Sequence, residues 1–196
     1  MSQGSLEGGP TLARIKGTAM ATAVKTLRAL GREKAEQMLP RRVHHYLGET
    51  RVLSASWYPE EDMLDFNRAV AKLLADVAPG RTDDVYAHMG RLVAGQDLKG
   101  VYAGLLFSGT LDDMVRRMAA AWGQYHDTGS MVATALPDGA RFELIGFGLP
   151  SNELCCIQTG WFTQYFETAG RTGVKVEHVQ CCMRGSPSCV WAASWK

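Results

Sequence analysis

Several features that would assign a function at once are missing from this sequence. No stretch approaches the roughly 18 consecutive apolar residues of a membrane span. Neither sign of charge dominates, because 21 Lys and Arg stand against 20 Asp and Glu, for a net charge of +1. Such a balance favours neither a nucleic acid nor an anionic membrane as partner. The segment 1–10 has no apolar run that would make a signal peptide, so we expect a cytoplasmic protein.

The common catalytic loops are also missing. There is no GxxxxGK(S/T) phosphate loop, no GxGxxG after a predicted strand and no G-x-S-x-G nucleophile turn. Cys156 with His126 could form a nucleophile and base, but the sequence contains no group that would orient the base and no oxyanion-hole element. The sequence therefore favours a protein without catalysis and leaves an enzyme acting on a hydrophobic substrate as the weakest alternative.

The chain does contain enough apolar sequence for one ordinary globular domain. Its 196 residues are 46% hydrophobic, which supports a core without disulfides. We expect a flexible tail over 1–11 and a single domain over 12–196. Helical spacing begins with Ile15 to Leu39, which Pro40 ends, and continues in further helices as far as Tyr125.

The periodicity changes in the last third of the chain. Two alternating segments, 131–136 and 142–147, flank the turn-forming Pro137-Asp138-Gly139-Ala140. A helix from Asn152 to Ala169 follows, and then a second hairpin over 174–195. The order helices, hairpin, helix, hairpin predicts an α+β fold with helices on one face of a mostly antiparallel sheet.

All five cysteines lie in the last 42 residues, which is unlike a secreted disulfide scaffold. Cys181 and Cys189 flank the last hairpin loop, Cys155 begins the preceding helix, and His178 could supply a fourth zinc ligand. In a straight strand His178 and Cys181 face opposite ways, so this set requires a β-bulge between them. Without a bulge the same-face pairs are Glu177 with Cys181, or His178 with Cys182. The alternative without metal is that these cysteines pack as small hydrophobic residues.

Aromatic residues recur at helical spacing on two of the predicted helices. They would either line a pocket for a hydrophobic ligand or pack in the core against the sheet. The six candidates are Trp122, Tyr125, Trp161, Phe162, Tyr165 and Phe166.

The segment from Cys181 to Trp191, with its Gly185-Ser186-Pro187 turn between cysteines, resembles the C-terminal signature of 4-vinyl reductase-type domains. That domain is similar in fold to small subunits of TRAPP tethering complexes and to haem-nitric-oxide-binding domains. The whole chain also resembles a paralogous myxobacterial family, through Lys16-Gly17, Tyr58-Pro59 and Trp195.

This resemblance implies zinc and a small ligand. In related sensors of phenolic compounds, three cysteines matching Cys155, Cys181 and Cys189 hold zinc with a Glu, whose position falls on His178 here. Those sensors enclose a small aromatic molecule, which implies a sensory domain that acts through a protein partner. The TRAPP relatives imply the alternative, a ligand-free interaction adaptor, and they also point to a homodimer. The Tyr-x-Ser-x-Arg signature of the haem-binding relatives is missing and His88 stands alone in a helix, so no haem is expected.

Overall fold

The structure is a computed structural model that describes residues 13–48, 50–77, 84–100, 104 and 109–196. The expected tail over 1–11 lies outside these residues. The α-helices are α1 (Gly17–Ala29), α2 (Arg32–Met38), α3 (Glu60–Val77), α4 (Val85–Asp97), α5 (Leu111–Tyr125) and α6 (Asn152–Thr168). The strands are β1 (Arg14–Lys16), β2 (Trp57–Pro59), β3 (Ser130–Leu136), β4 (Gly139–Ile145), β5 (Lys175–Gln180) and β6 (Ser188–Ser194). This order confirms the α+β prediction. None of the helices in the described ranges is both long and apolar enough to cross a lipid bilayer.

The N-terminal helical region differs from the single helix expected over 15–39. Ile15 belongs to β1 and pairs with Tyr58 of β2 in a two-stranded antiparallel sheet. α1 then ends at Ala29, and Gly31 has a φ of 89° before α2 begins. Glycine adopts this left-handed conformation at little cost, so it separates the two helices. The apolar stripe of α1 packs with α3 and a 3-10 helix over Arg41–Leu47 in a first core cluster.

Two glycines let α4 and α6 approach until their backbones touch. A Cβ atom on Gly90 would lie 1.9 Å from the carbonyl oxygen of Ile157, and one on Gly160 would lie 1.8 Å from that of Ala87. Real Cβ atoms essentially never come within 3.0 Å of a heavy atom of a residue that is not adjacent in the chain, so neither position accepts a side chain. The crossing sets the position of α6, which carries Cys155.

The larger sheet has the strand order β3-β4-β6-β5, and all its neighbouring strands are antiparallel. Its inner face packs on α6, where the ring of Phe142 stacks on that of Phe162 with centroids 4.3 Å apart. A capping box between Thr110 and Asp113 begins α5. On the outer face of the sheet, Val132, Leu136 and Ile145 remain exposed.

Candidate metal centre

Cys155 is positioned by the first turn of α6. The Ser151 hydroxyl caps this helix by accepting a hydrogen bond from the Leu154 amide at 3.1 Å. The helix is fastened to β6 by Trp191, whose indole N–H donates to the Cys155 carbonyl at 3.3 Å and to the Thr159 hydroxyl at 3.0 Å. The Cys155 side chain is consequently buried against the sheet, with 3% of the residue exposed.

A β-bulge in β5 brings His178 and Cys181 together. His178 pairs with Trp191 and Gln180 pairs with Val190, so Val179 is an extra residue without a partner on β6. The bulge changes the alternation of side chains, and Val179 points to solvent with 52% of the residue exposed. Of the alternatives left open by the sequence, this geometry selects His178 with Cys181.

The loop between β5 and β6 closes over the site through its own backbone. The Cys181 carbonyl accepts hydrogen bonds from the amides of Arg184, at 2.9 Å, and Ser186, at 3.2 Å. Gly185 has a φ of 87°, which allows the chain to turn back after the 3-10 turn Cys182–Arg184. The turn brings Cys189 across from Cys182, whose amide lies 3.5 Å from the Cys189 sulfur.

The four residues proposed as metal ligands from the sequence meet at one point. One ligand atom from each of Cys155, His178, Cys181 and Cys189 lies within 4.8 Å of all the others. The sulfurs of Cys155 and Cys189 are 3.7 Å apart. Ligand atoms of a tetrahedral zinc site are about 3.3–3.8 Å apart, given Zn–S and Zn–N bonds of about 2.3 Å and 2.0–2.1 Å. A movement of about 1 Å at the widest separation would therefore bring all of them to zinc distance.

His178 contributes a buried nitrogen that lacks a hydrogen-bond partner. Among the described residues its Nε2 atom has no hydrogen bond, although the atom is inaccessible to solvent. The ring stacks on that of Trp191, with centroids 4.7 Å apart. Burial, with a smaller contribution from Arg184, lowers the pKa of His178, so the neutral imidazole is favoured. A neutral imidazole with a free lone pair is the form that binds metal.

Burial controls the protonation of the cysteines when no metal is bound. It raises the pKa of Cys155 well above its usual range and that of Cys189 to about 11. The neighbouring thiols add to the increase for Cys155, because two adjacent thiolates repel each other. A divalent cation would reverse this preference by stabilising the thiolates directly.

The other two cysteines lie outside the cluster. The pKa of Cys156 is raised to about 12, first by burial and then by a hydrogen bond with Asp84. His126, the base considered for it, instead has its Nδ1 atom 3.2 Å from a Glu60 carboxylate oxygen and stacks on Trp122. Cys182 is half-buried, and its sulfur is 3.2 Å from that of Cys189.

The predicted aromatic residues pack into the second core cluster. Phe162 and Phe166 lie against the sheet next to Phe142 and Trp195. Trp122 donates to the Thr128 carbonyl at 3.0 Å. The buried members of the set are Trp122, Phe162, Tyr165 and Phe166, and the half-buried ones are Tyr125 and Trp161. A role in ligand binding stays a prediction for all six.

A cavity of about 110 Å³ borders the cysteine cluster instead. Its lining residues are mainly apolar and include three of the cysteines, and no sequence pattern indicated it. The lining residues are Leu144, Gly146, Phe147, Pro150, Leu154, Cys155, Cys182, Pro187, Ser188 and Cys189. Trp191 was missed as well, although its spacing from Cys189 places both on the inner face of one strand.

Comparison with known proteins shows which fold this is. No protein-family model and no curated protein matches the chain. Solved structures do match. An H-NOX protein from S. oneidensis in the Fe(II)NO ligation state has a TM-score of 0.61 and 16% identity, covering 93% of this chain and 99% of that one. An oxygen-binding H-NOX domain related to soluble guanylate cyclases, in its oxygen complex, has a TM-score of 0.59 and 14% identity, covering 93% and 95%.

The chain has the fold of H-NOX domains. A third matching structure, with a TM-score of 0.62, 12% identity and coverage of 93% and 95%, comes from work on haem distortion in the H-NOX family. The expectation that haem plays no part is therefore wrong. It rested on a missing Tyr-x-Ser-x-Arg signature, and such a short motif does not separate this chain from the fold of haem proteins. The likeness to haem-nitric-oxide-binding domains is confirmed at the level of the fold. The likeness to 4-vinyl reductase and TRAPP proteins stays a prediction.

Proposed function

We propose that this chain is a non-catalytic sensory domain for a small molecule and that Cys155, His178, Cys181 and Cys189 hold a structural Zn²⁺ ion. The observation that carries the zinc assignment is the Nε2 atom of His178, which is buried without a hydrogen-bond partner among the described residues. Leaving such an atom unpaired costs about 1–3 kcal/mol, and a metal bond would remove that cost. Three sulfurs and one imidazole nitrogen suit zinc better than magnesium or calcium, which prefer oxygen.

The zinc would have a structural role. Four protein ligands fill a tetrahedral site, so no position remains for an activated water. The ligands come from α6, from β5 with the residue that follows it, and from β6. The ion would thus fasten the last hairpin to the helix that crosses α4. This favours a domain without metal-assisted catalysis.

The sensory role is supported by the fold and by the cavity beside the cluster. The matching H-NOX structures include one with NO and one with oxygen bound. The 110 Å³ cavity is below the roughly 300 Å³ at which ordinary ligand pockets begin, so it suits a molecule of a few heavy atoms. A porphyrin does not fit this cavity. Haem is the second candidate ligand, favoured by the fold, and it would need space outside the cavity described.

We further propose that the domain signals through a partner protein, as the resemblance to sensors of phenolic compounds implies. The outer face of the sheet could bind that partner or a second copy of the chain, since Val132, Leu136 and Ile145 are each more than 40% exposed there. The same surface favours the alternative, an interaction adaptor that has no ligand. We propose a homodimer for both the sensory domain and the adaptor.

Elemental analysis and native mass spectrometry of protein purified without chelator test the zinc assignment. We expect one zinc ion per chain, lost in Cys181→Ser and retained in Cys182→Ser, the matched control at the adjacent residue. Zinc at 100 times its dissociation constant should stabilise the fold by about 2.7 kcal/mol and raise Tm by roughly 5–10 °C. Wild-type protein that neither retains zinc nor gains stability from added zinc would exclude the site.

The sensory proposal is tested on the same protein. Retention of a small molecule, or a Tm increase with a small apolar probe, would support it. Added haemin that produces a saturable Soret band would instead make haem the ligand. If no ligand of either kind binds while a partner protein does, the adaptor alternative replaces the sensor.

A further inference from the structure

We propose that Cys182 and Cys189 form a modification site for small peroxides, at which oxidation to a disulfide releases the zinc ion. This inference rests on the proposed zinc site for its consequence, but the oxidation itself depends only on the two cysteines. Cys182 is outside the set of four ligands, although it directly follows Cys181 in the sequence.

The first observation is the distance between the two sulfurs. They are 3.2 Å apart, closer than the 3.7 Å between the sulfurs of Cys155 and Cys189. A disulfide bond is about 2.0 Å long, so the pair needs to close by about 1.2 Å. The two residues are joined by a short loop in which Gly185, with a φ of 87°, lets the chain turn back. Cys182 is therefore closer to Cys189 than Cys155 is, and it is not one of the four proposed zinc ligands.

The second observation is the path by which an oxidant would arrive. Cys182 and Cys189 both line the 110 Å³ cavity, and Leu144, Phe147 and Leu154 are among its apolar walls. This volume holds a molecule the size of hydrogen peroxide or a short alkyl hydroperoxide. The structure therefore places two close sulfur-bearing residues beside a cavity whose volume suits small oxidants.

The chemistry balances with a hydroperoxide as the oxidant. The Cys182 sulfur attacks one peroxide oxygen, the O–O bond breaks, and one water or alcohol leaves while a sulfenic acid forms. The Cys189 sulfur then attacks the Cys182 sulfur, the S–S bond forms, and the hydroxyl leaves as water. The two sulfurs lose two electrons in total. In the zinc-bound protein Cys189 is already deprotonated, so the second proton comes from solvent. Cys189 then no longer carries the negative charge that binds zinc.

The experiment treats zinc-loaded protein with hydrogen peroxide and measures zinc release, intact mass and the linked peptides. We expect zinc to be released. The mass of the polypeptide itself, without the ion, should fall by about 2 Da, and the linked peptides should contain Cys182 and Cys189. The Cys182→Ser variant keeps all four ligands and should lose both the cross-link and the rapid zinc release. Cys156→Ser, which removes a half-buried thiol beside Cys155, is the control and should respond like the wild type.

Several results would overturn the inference. They are a cross-link between Cys155 and Cys189, oxidation of Cys182 without a cross-link, or zinc release that is equally fast in Cys182→Ser. Peptide mapping of the wild type gives this answer even if a variant folds poorly. A bulky hydroperoxide such as cumene hydroperoxide should react more slowly than hydrogen peroxide, and equal rates would contradict the role of the cavity. If the cross-link forms in a protein that never binds zinc, the zinc proposal fails while the modification site stands.

Discussion

His178 is the residue whose environment best separates a metal site from a packed core. Its ring lies against Trp191, and its buried Nε2 has no hydrogen-bond partner among the described residues. Replacing His178 with Phe keeps an aromatic ring on Trp191 and removes the nitrogen. In chelator this variant should be as stable as the wild type or up to about 2 kcal/mol more stable, because an unpaired buried atom is gone. With zinc it should be the less stable protein.

Denaturant unfolding gives the free energy of unfolding of the variant and of the wild type, once with zinc and once with chelator. The control is Cys182→Ser, which should follow the wild type in both conditions. If His178→Phe ranks the same relative to wild type whether zinc is present or chelated, His178 does not bind the metal.

At the scale of elements, the crossing of α4 and α6 gives a prediction that is independent of metal. A Cβ atom at position 160 would meet the Ala87 backbone, so Gly160→Ala should cost about 3 kcal/mol or more, since neither helix can move away cheaply. Gly123 on α5 is the matched control, because a Cβ atom there has no heavy atom within 4 Å. Gly123→Ala should stabilise the protein by about 0.5–1 kcal/mol. Thermal unfolding compares the two, and similar Tm values would contradict the close crossing.

The helices and strands also show how much of the fold could be predicted from the sequence. The two hairpins and the helix between them were predictable, because turn residues such as Pro137 and Gly185 separate segments of clear alternation or helical spacing. The pairing of β1 with β2 was not, since three-residue strands far apart in the chain leave no periodic pattern. The helix expected over 15–39 was wrong because Gly31 adopts a conformation that an apolar stripe does not reveal.

The candidate site was predictable to a similar degree. The positions of Cys181 and Cys189 at the ends of a hairpin loop indicated two ligands. The choice of His178 depended on a β-bulge at Val179. The sequence shows that such a bulge is needed, but it does not show which residue forms it. The closeness of Cys182 and the cavity beside it depend on how α6 packs on the sheet, and that packing involves residues distant in sequence.

At the scale of the whole molecule, stability should depend on pH through the metal. Burial raises the pKa of Cys155 and Cys189, so protons compete with zinc for their sulfurs. Zinc binding therefore releases protons and weakens as the pH falls. The Tm difference between zinc-saturated and chelated protein should be largest near pH 8 and should shrink towards about pH 5. A difference that does not change over this range would mean that the thiols are not the ligands.

The predicted homodimer needs an apolar surface that the chain does not bury itself. The apolar stripe of α1 is occupied within its own chain, where Met20, Val24 and Leu27 are buried. The outer face of the sheet remains, with Val132 and Leu136 on β3 and with Ile145 on β4, at the end of the strand pair nearer Val132. Burying this face against a second copy would remove three large apolar side chains from water, and a stable interface needs about 1,000 Å² or more in total.

Sedimentation velocity at micromolar concentration tests this surface. We expect the wild type to sediment as a dimer and the Val132→Lys variant as a monomer, because a lysine there would place charge inside the interface. Leu53→Lys is the control, since Leu53 is similarly exposed, at 54% against 49% for Val132, but lies between the 3-10 helix and β2 rather than in the sheet. A wild type that stays monomeric at high micromolar concentration would remove the homodimer and leave the outer face of the sheet to a different protein.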